Sequence, residues 1–305
     1  MKKNTKLWLI IATSLILIGC ILFAGVMFSL RWDFTKLSTD KFEINTYEIR
    51  EPFHNISIET DTTDIIFTLS DDGTCKVECT EEENTRHSVT VEHGTLIVER
   101  FDERDLHDYI GNIGIHVNST KITVYLPQEE YTSLLIAEST GDIHIPQDFH
   151  FQDVDIALST GDVVFSASAS QLVKIQTSTG DIRVENTSAT HCDFSVSTGD
   201  VYLSDLTCKN LITTGRTGDI SMDHVVATGK LSIARSTGDV RFARCDAYEI
   251  FVKTDTGDIA GSLLTDKIFI TETSTGDIQV PNTTTGGTCE IRTNTGDIAI
   301  TIDPS

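Results

Sequence analysis

Beyond residue 140, apolar residues alternate with polar ones in short bursts, and the bursts recur at a near-constant spacing. Val154, Ile156 and Leu158 form one, Val173 and Ile175 another, then Cys192, Phe194 and Val196, and Ile250 and Val252. A period of two marks a strand with one buried face. Each burst runs into the triplet Thr-Gly-Asp. That triplet occurs nine times, with its acid at Asp142, Asp162, Asp181, Asp200, Asp219, Asp239, Asp258, Asp277 and Asp297, at intervals of 19 or 20 residues. The next residue is always β-branched and apolar (Ile143, Val163, Ile182, Val201, Ile220, Val240, Ile259, Ile278, Ile298), and two further on the chain is apolar again in eight of nine copies, Gly261 being the exception. A second, shorter strand therefore follows each corner.

One such unit cannot bury its own apolar face, whereas stacked copies can. The pattern predicts an all-β chain folded as a single-stranded parallel β-solenoid of about nine to ten rungs, with strands of successive rungs about 4.8 Å apart. Ile56 to Phe67 follows the same grammar with Thr63 in place of Gly, and reads as a first, degenerate rung. Cys75–Thr80, Ser88–Phe101 with a His93-Gly94 turn, and Lys121–Leu126 read as further strands that cap the open end. Residues 102–116 are polar and irregular. The expected organisation is 42–139 for first rung and cap, and 140–305 for the repeat.

The amino terminus breaks the pattern. Leu7 to Leu30 contains no charged residue over 24 positions, long enough for a helix to cross a hydrocarbon layer of about 30 Å. A cleaved signal has a shorter apolar core and a small-residue cleavage site. Leu17-Ile18-Gly19-Cys20 resembles a lipobox, but the chain stays apolar past Cys20. The expectation is an uncleaved single-pass anchor, with residues 1–6 cytoplasmic, 31–41 a linker and the body extracytoplasmic. Lys2, Lys3 and Lys6 support that orientation, while Arg31, Lys36 and Lys41 weaken it.

Charge narrows the partners. The chain has 23 basic against 46 acidic residues, a net charge of −23, and every acid lies beyond the apolar segment. Such a body repels phosphate backbones, which argues against nucleic acid, and it favours cationic partners. The seven cysteines show no metal-ligand spacing; Cys75 and Cys79 share a strand face about 13 Å apart, too far to bridge. They read as small buried thiols.

The corner has two readings. Gly supplies a positive φ, while Asp and Thr accept main-chain N–H bonds at the bend, so a structural turn explains the triplet. Alternatively, the nine stacked carboxylates, at about 5 Å intervals, form a ladder for calcium; the sequence lacks the Gly-richer nonapeptide pattern of known calcium β-rolls. The enzymatic alternative is a polysaccharide-active β-helix, which needs clustered, non-repeating Asp, Arg or Lys groups on one face. The bases Arg183, Arg216, Lys230, Arg235, Arg241, Arg244 and Lys253 are scattered; Arg235, Arg241 and Arg244 with Asp239 read as a surface ion-pair patch. His144 and His150 read as surface residues. No catalytic, cofactor or phosphate-loop motif is present, and a non-enzymatic role is expected.

The serial S-T-G-D-[IV] rungs, behind a strand-rich opening and an apolar amino-terminal segment, resemble a bacterial domain-of-unknown-function family of adhesin-like β-solenoids over roughly residues 42–302. The resemblance implies an extracytoplasmic solenoid, in some members tied to envelope-stress sensing, with no catalytic residues to carry over. Two roles follow as expectations: a binding module for a protein, peptide or glycan, or a sensor or structural module that self-associates through its carboxyl-terminal edge.

Overall fold

The structure is a computed structural model and describes residues 3–32, 42–82, 85–102 and 120–303. Most of the expected linker (31–41) and of the irregular 102–116 stretch lies outside the described residues. The chain opens with one helix, α1 (Lys3–Ser29), whose segment Trp8–Ser29 has a mean hydropathy of 2.7 and is long and apolar enough to span a membrane. Everything else described is β-structure.

The amino-terminal strands are β1 (Phe42–Ile49), β2 (Asn55–Glu59), β3 (Thr63–Leu69), β4 (Cys75–Glu82), β5 (Thr85–Glu92), β6 (Thr95–Asp102) and β7 (Thr120–Leu126). Regular rungs follow, each a long strand, a corner and a short strand. They are β8 (Glu130–Thr140) with β9 (Ile143–Ile145), β10 (His150–Thr160) with β11 (Val163–Phe165), and β12 (Ser168–Thr179) with β13 (Ile182–Glu185). Then come β14 (Ser188–Thr198) with β15 (Val201–Ser204), and β16 (Thr207–Thr217) with β17 (Ile220–Asp223). β18 (Val226–Ala234) leads into β19 (Val240–Thr256), which runs unbroken from the short side of one rung into the long side of the next and ends at β20 (Ile259–Leu263). The last elements are β21 (Lys267–Thr275), β22 (Ile278–Gln279), β23 (Gly287–Thr295) and β24 (Ile298–Ile302).

Long strands stack on long strands and short on short, all parallel, as a solenoid requires. The alternation places mostly large apolar residues in each interior column. On the long side Ile136, Ile156, Ile175, Phe194, Thr213, Ile233, Val252 and Ile291 pair in register and are all fully buried. On the short side the residue after each Asp does the same, from Ile143 through Val201 to Ile298, except Ile278 on the outermost rung, which is exposed. Each such aliphatic side chain removed from water contributes about 1.5–3 kcal/mol before the cost of ordering it. The two columns face each other and form one continuous core.

Chain order and spatial order agree in the middle and part at both ends. At the amino-terminal end β2 and β3 lie between β6 and β7 on one side and β8 and β9 on the other. At the carboxyl-terminal end β23 and β24 pack directly on β19 and β20, and the earlier β21 and β22 lie outside them. Simple succession of rungs, the expectation from the repeat, is therefore corrected at the ends. The side chains explain the exchange. Cys289, Ile291, Ile298 and Ile300 are apolar and buried, so β23 and β24 suit an interior rung, whereas β21 offers Phe269, Thr271 and Thr273 at the matching positions. A rung with hydroxyls on its inner face costs least where that face meets solvent.

The cap is made of antiparallel strands. β5 and β6 form the hairpin around His93-Gly94, β6 continuing the long-side stack through β2. β4 pairs with β1 and β7, and β7 continues the short-side stack through β3.

Candidate binding face

The corners define one seam of the molecule. At each of them the main-chain N–H of the Asp donates to Oδ1 of the Asp on the rung before, at 2.7–3.0 Å. The series runs from Asp64 through Asp142, Asp162, Asp181, Asp200, Asp219, Asp239 and Asp258 to Asp297 and ends at Asp277, following spatial rather than chain order. It confirms Asp64 as the corner of the degenerate first rung. The Gly N–H meanwhile donates to the Thr carbonyl of the adjacent rung, as in Gly180 to Thr198 at 3.0 Å. The Gly and Asp N–H groups of the interior corners thus find acceptors, which buried or half-buried main chain requires. Gly199 shows why only glycine fits: its φ is 143°, and a Cβ there would lie 2.1 Å from the Gly180 carbonyl oxygen.

The second carboxylate oxygens are used unevenly. Tyr202 Oη donates to Asp200 Oδ2 at 2.8 Å. Arg241 bridges two rungs, its Nη1 3.1 Å from Asp219 Oδ2 and its Nη2 2.7 Å from Asp239 Oδ2. The bond to Asp200, with burial and further carboxylates, raises the Tyr202 phenol above its ordinary pKa. The bond to Asp219 raises that of Arg241.

These side chains belong to an outward column on the short-strand sheet, the residues two beyond each Asp: Arg183, Tyr202, Ser221, Arg241 and Ala260 in register. The Arg183 guanidinium lies 4.8 Å from the Tyr202 ring centre, in cation–π range. Ser221 and Ala260 are short, so the surface sinks between the tall residues. The result is an open depression of about 590 Å³, edged by Arg183, Tyr202 and Arg241 and continued by Ser204, Asp223 and Ala243. Its chemistry is an aromatic face and two guanidinium groups beside hydroxyls and the carboxylates of Glu185 and Asp223, a set that suits polar, hydroxyl-bearing ligands and sugar rings.

The expected basic patch is only partly assembled. Arg241 does pair with Asp239, and Arg244 lies 3.6 Å from Asp223, but Arg235 is buried in the core with 4 % exposure. The surface reading of Arg235 is thereby corrected: position 235 belongs to an inward column. His144 and His150 are exposed, and all seven cysteines are free, six of them buried. The depression was hidden in the sequence because Tyr202 stands alone among its column neighbours. Reading the residue two beyond each Asp as one column would have found it.

A parallel β-solenoid with an aspartate seam, an antiparallel cap and a spanning-length helix defines a repeat-protein class. The chain belongs to the Toastrack DUF4097 family, whose pattern it matches over residues 53–266 and 193–305. Its fold is similar to a crystal structure named a "putative adhesin" from Bacteroides fragilis, with 15 % identity, a TM-score of 0.50, and coverage of 86 % of this chain and 97 % of that one. A second, likewise named, from Parabacteroides distasonis has 15 % identity, a TM-score of 0.47 and coverage of 73 % and 98 %. No protein of curated function matches the chain.

Proposed function

We propose that this protein is a non-enzymatic binding module, held at a cell membrane by α1 with its solenoid on the extracytoplasmic side. Its ligand is a surface glycan or peptide carrying carboxylate and hydroxyl groups. The observation that carries the reading is the depression around Tyr202, where Arg183 lies over the ring and Arg241 edges the same hollow, on a body of net charge −23. Cations are scarce on this chain, and here one lies over an aromatic ring with a second two rungs along the same column. The adhesin label of the fold neighbours agrees with a binding role. The test is retention of the detergent-solubilised full chain on immobilised acidic and neutral envelope glycans. Ser221→Trp, which fills the depression without touching the core, should lower retention about tenfold, equivalent to about 1.4 kcal/mol. Equal retention by wild type and Ser221→Trp would remove this face as the site.

A second reading rests on the other end of the molecule. β21 and β22 form an outer rung with Ile268, Ile270 and Ile278 exposed, and an exposed apolar edge is a template for pairing with another chain. Self-association through this edge makes the protein an assembling module or sensor. Light scattering of the solubilised chain over a range of concentrations tests it: Ile270→Lys should shift the molecule to monomer, and a wild type that is already monomeric sinks the idea.

A further inference from the structure

The cap holds a cluster that neither the repeat nor the binding face explains. β4 sends Cys75, Val77, Cys79 and Glu81 to its buried side in strict alternation, so an apolar column ends in a carboxylate. Glu81 is fully buried. Its Oε1 accepts from Asn45 Nδ2 at 2.6 Å, and its Oε2 lies 2.7 Å from the His87 main-chain N and 2.8 Å from His87 Nδ1. His87, on β5, is itself 95 % buried, and the Tyr47 hydroxyl donates to its carbonyl at 3.0 Å. Cys79 is fully buried on the same side. One sulfur, one carboxylate oxygen and one imidazole nitrogen, from Cys79, Glu81 and His87, lie within 4.8 Å of one another.

From this geometry we infer that Cys79, Glu81 and His87 form a binding site for a divalent cation of the zinc class. A thiolate, an imidazole and a carboxylate are the donor set such ions take, and three protein ligands leave one position of a tetrahedron for water. The approach needed is small: bond lengths of about 2.0–2.3 Å draw the three atoms around one centre, and the imidazole–carboxylate contact opens to admit it. On binding, the Cys79 thiol passes its proton to solvent, the proton between His87 Nδ1 and Glu81 Oε2 is released or moves to the far imidazole nitrogen, and lone pairs on sulfur, nitrogen and oxygen form the metal bonds; nothing is oxidised or reduced. Asn45 keeps its bond to the carboxylate and orients it, the outer support that metal ligands commonly receive. A buried carboxylate at the end of an apolar column is costly, and a dication offsets that cost.

The position gives the ion a structural task. Cys79 and Glu81 sit on β4, which extends the short-side stack through β7, and His87 sits on β5, which extends the long-side stack through β6. One ion therefore clips the two faces of the solenoid together at its amino-terminal end, where β1 leads from the membrane helix into the body. The aspartate seam is a separate matter, because carboxylates alone give no thiolate signature.

The experiment is cobalt titration of the full chain, purified in detergent and stripped with chelator. The expected result is one equivalent of Co²⁺ bound with a sulfur-to-cobalt charge-transfer band in the near ultraviolet, displaced by Zn²⁺, and a rise in melting temperature with either ion. Cys79→Ser should abolish the band and Cys75→Ser should leave it. Glu81→Gln keeps the shape and one acceptor oxygen, turns its NH2 towards either the Asn45 amide or the His87 N–H, removes the anionic ligand, and should weaken binding at least tenfold. Should the Cys79 variant fail to fold, zinc-edge X-ray absorption on the wild type decides, with one sulfur and two nitrogen or oxygen protein ligands expected. Absence of the band in folded wild type, or a band that survives Glu81→Gln and Cys79→Ser unchanged, overturns the site.

Discussion

Arg235 occupies the space that a side chain at position 215 would fill. Its Nη1 lies 3.1 Å from the Val196 carbonyl oxygen, and a Cβ on Gly215 would come within 2.0 Å of that same Nη1 and 2.2 Å of the Val196 oxygen. Successive rungs place a glycine and an arginine next to each other in an inward column, and the long side chain lies flat across the gap.

This pair predicts opposite outcomes for two substitutions. Gly215→Ala must move a main-chain carbonyl as well as Arg235, and should cost about 1–3 kcal/mol in urea unfolding. Arg235→Met keeps the volume and removes a charge whose Nε and Nη2 have no hydrogen-bond partner. Replacing an incompletely paired buried charge with an apolar group is commonly neutral or stabilising, so the melting temperature should hold or rise. A large fall would mean that the guanidinium, held below its ordinary pKa by burial, is nevertheless a net stabiliser here.

The seam makes a different prediction. Asp162 accepts the Asp181 N–H at 2.8 Å through Oδ1, a role that an amide oxygen also fills. Asp162→Asn should therefore change stability little in unfolding experiments, while Asp162→Ala removes the acceptor and should cost about 1 kcal/mol. Calcium at millimolar concentration should leave the melting temperature where it was, because the corner is closed by main-chain bonds and Arg241 already spans Asp219 and Asp239. A clear upward shift, lost in Asp162→Asn, would assign the ladder to calcium instead.

Glu138 gives the fold a pH dependence. Its side chain is 5 % exposed, Oε2 has no partner, and Oε1 is 3.4 Å from the Thr140 N–H. Burial, with a smaller repulsion from Asp61 and against weaker main-chain bonds, pushes its carboxyl up to about 8. The folded state therefore holds a proton that the unfolded chain, with an ordinary carboxyl near 4.5, has released. Stability from this group falls as pH rises from about 4.5 to about 8 and levels off above, a loss on the order of a few kcal/mol. Glu138→Gln should melt higher than wild type at pH 8.5, and the two should converge near pH 4.5. Parallel melting curves across that range would show that the carboxyl titrates normally.

Which parts of this molecule were legible follows from where the physics is local. The corner needs a glycine with positive φ and an acceptor three atoms beyond the next Cα, so it writes itself as Thr-Gly-Asp at nearly every turn. The strands need one apolar residue in two, so Ile156, Ile175 and Val252 announce the core. Arg235 deceived because charge was read as exposure; only the missing side chain of Gly215, one rung away, makes room for it. The Cys79, Glu81 and His87 cluster joins a strand face to its hairpin partner through a pairing that spacing does not reveal. The depression at Tyr202 depends on which short residues stand beside it across rungs, again a matter of register. What escaped reading is contact set by strand register between residues whose types vary, whether six or about 20 residues apart, whereas what was visible repeats.

The exchanged end yields the last prediction. If rungs stacked in chain order, deleting residues 286–305 would peel off the outermost turn and leave the rest intact. In the structure that deletion removes β23 and β24, on which β21 and β22 rest and through which they reach β19 and β20. It also takes away the buried Cys289, Ile291, Ile298 and Ile300, each about 1.5–3 kcal/mol of burial for a large aliphatic side chain and less for cysteine. The truncated chain should therefore lose amide-exchange protection in 267–279 as well, although those residues are still present. β21 could re-dock on β19 only by placing Thr271 and Thr273 where Ile291 and Thr293 now sit, which exchanges an isoleucine for a hydroxyl against Val252. Hydrogen exchange on the full chain and on the truncation decides the matter: full protection of 267–279 after the deletion would mean that the rungs follow chain order after all.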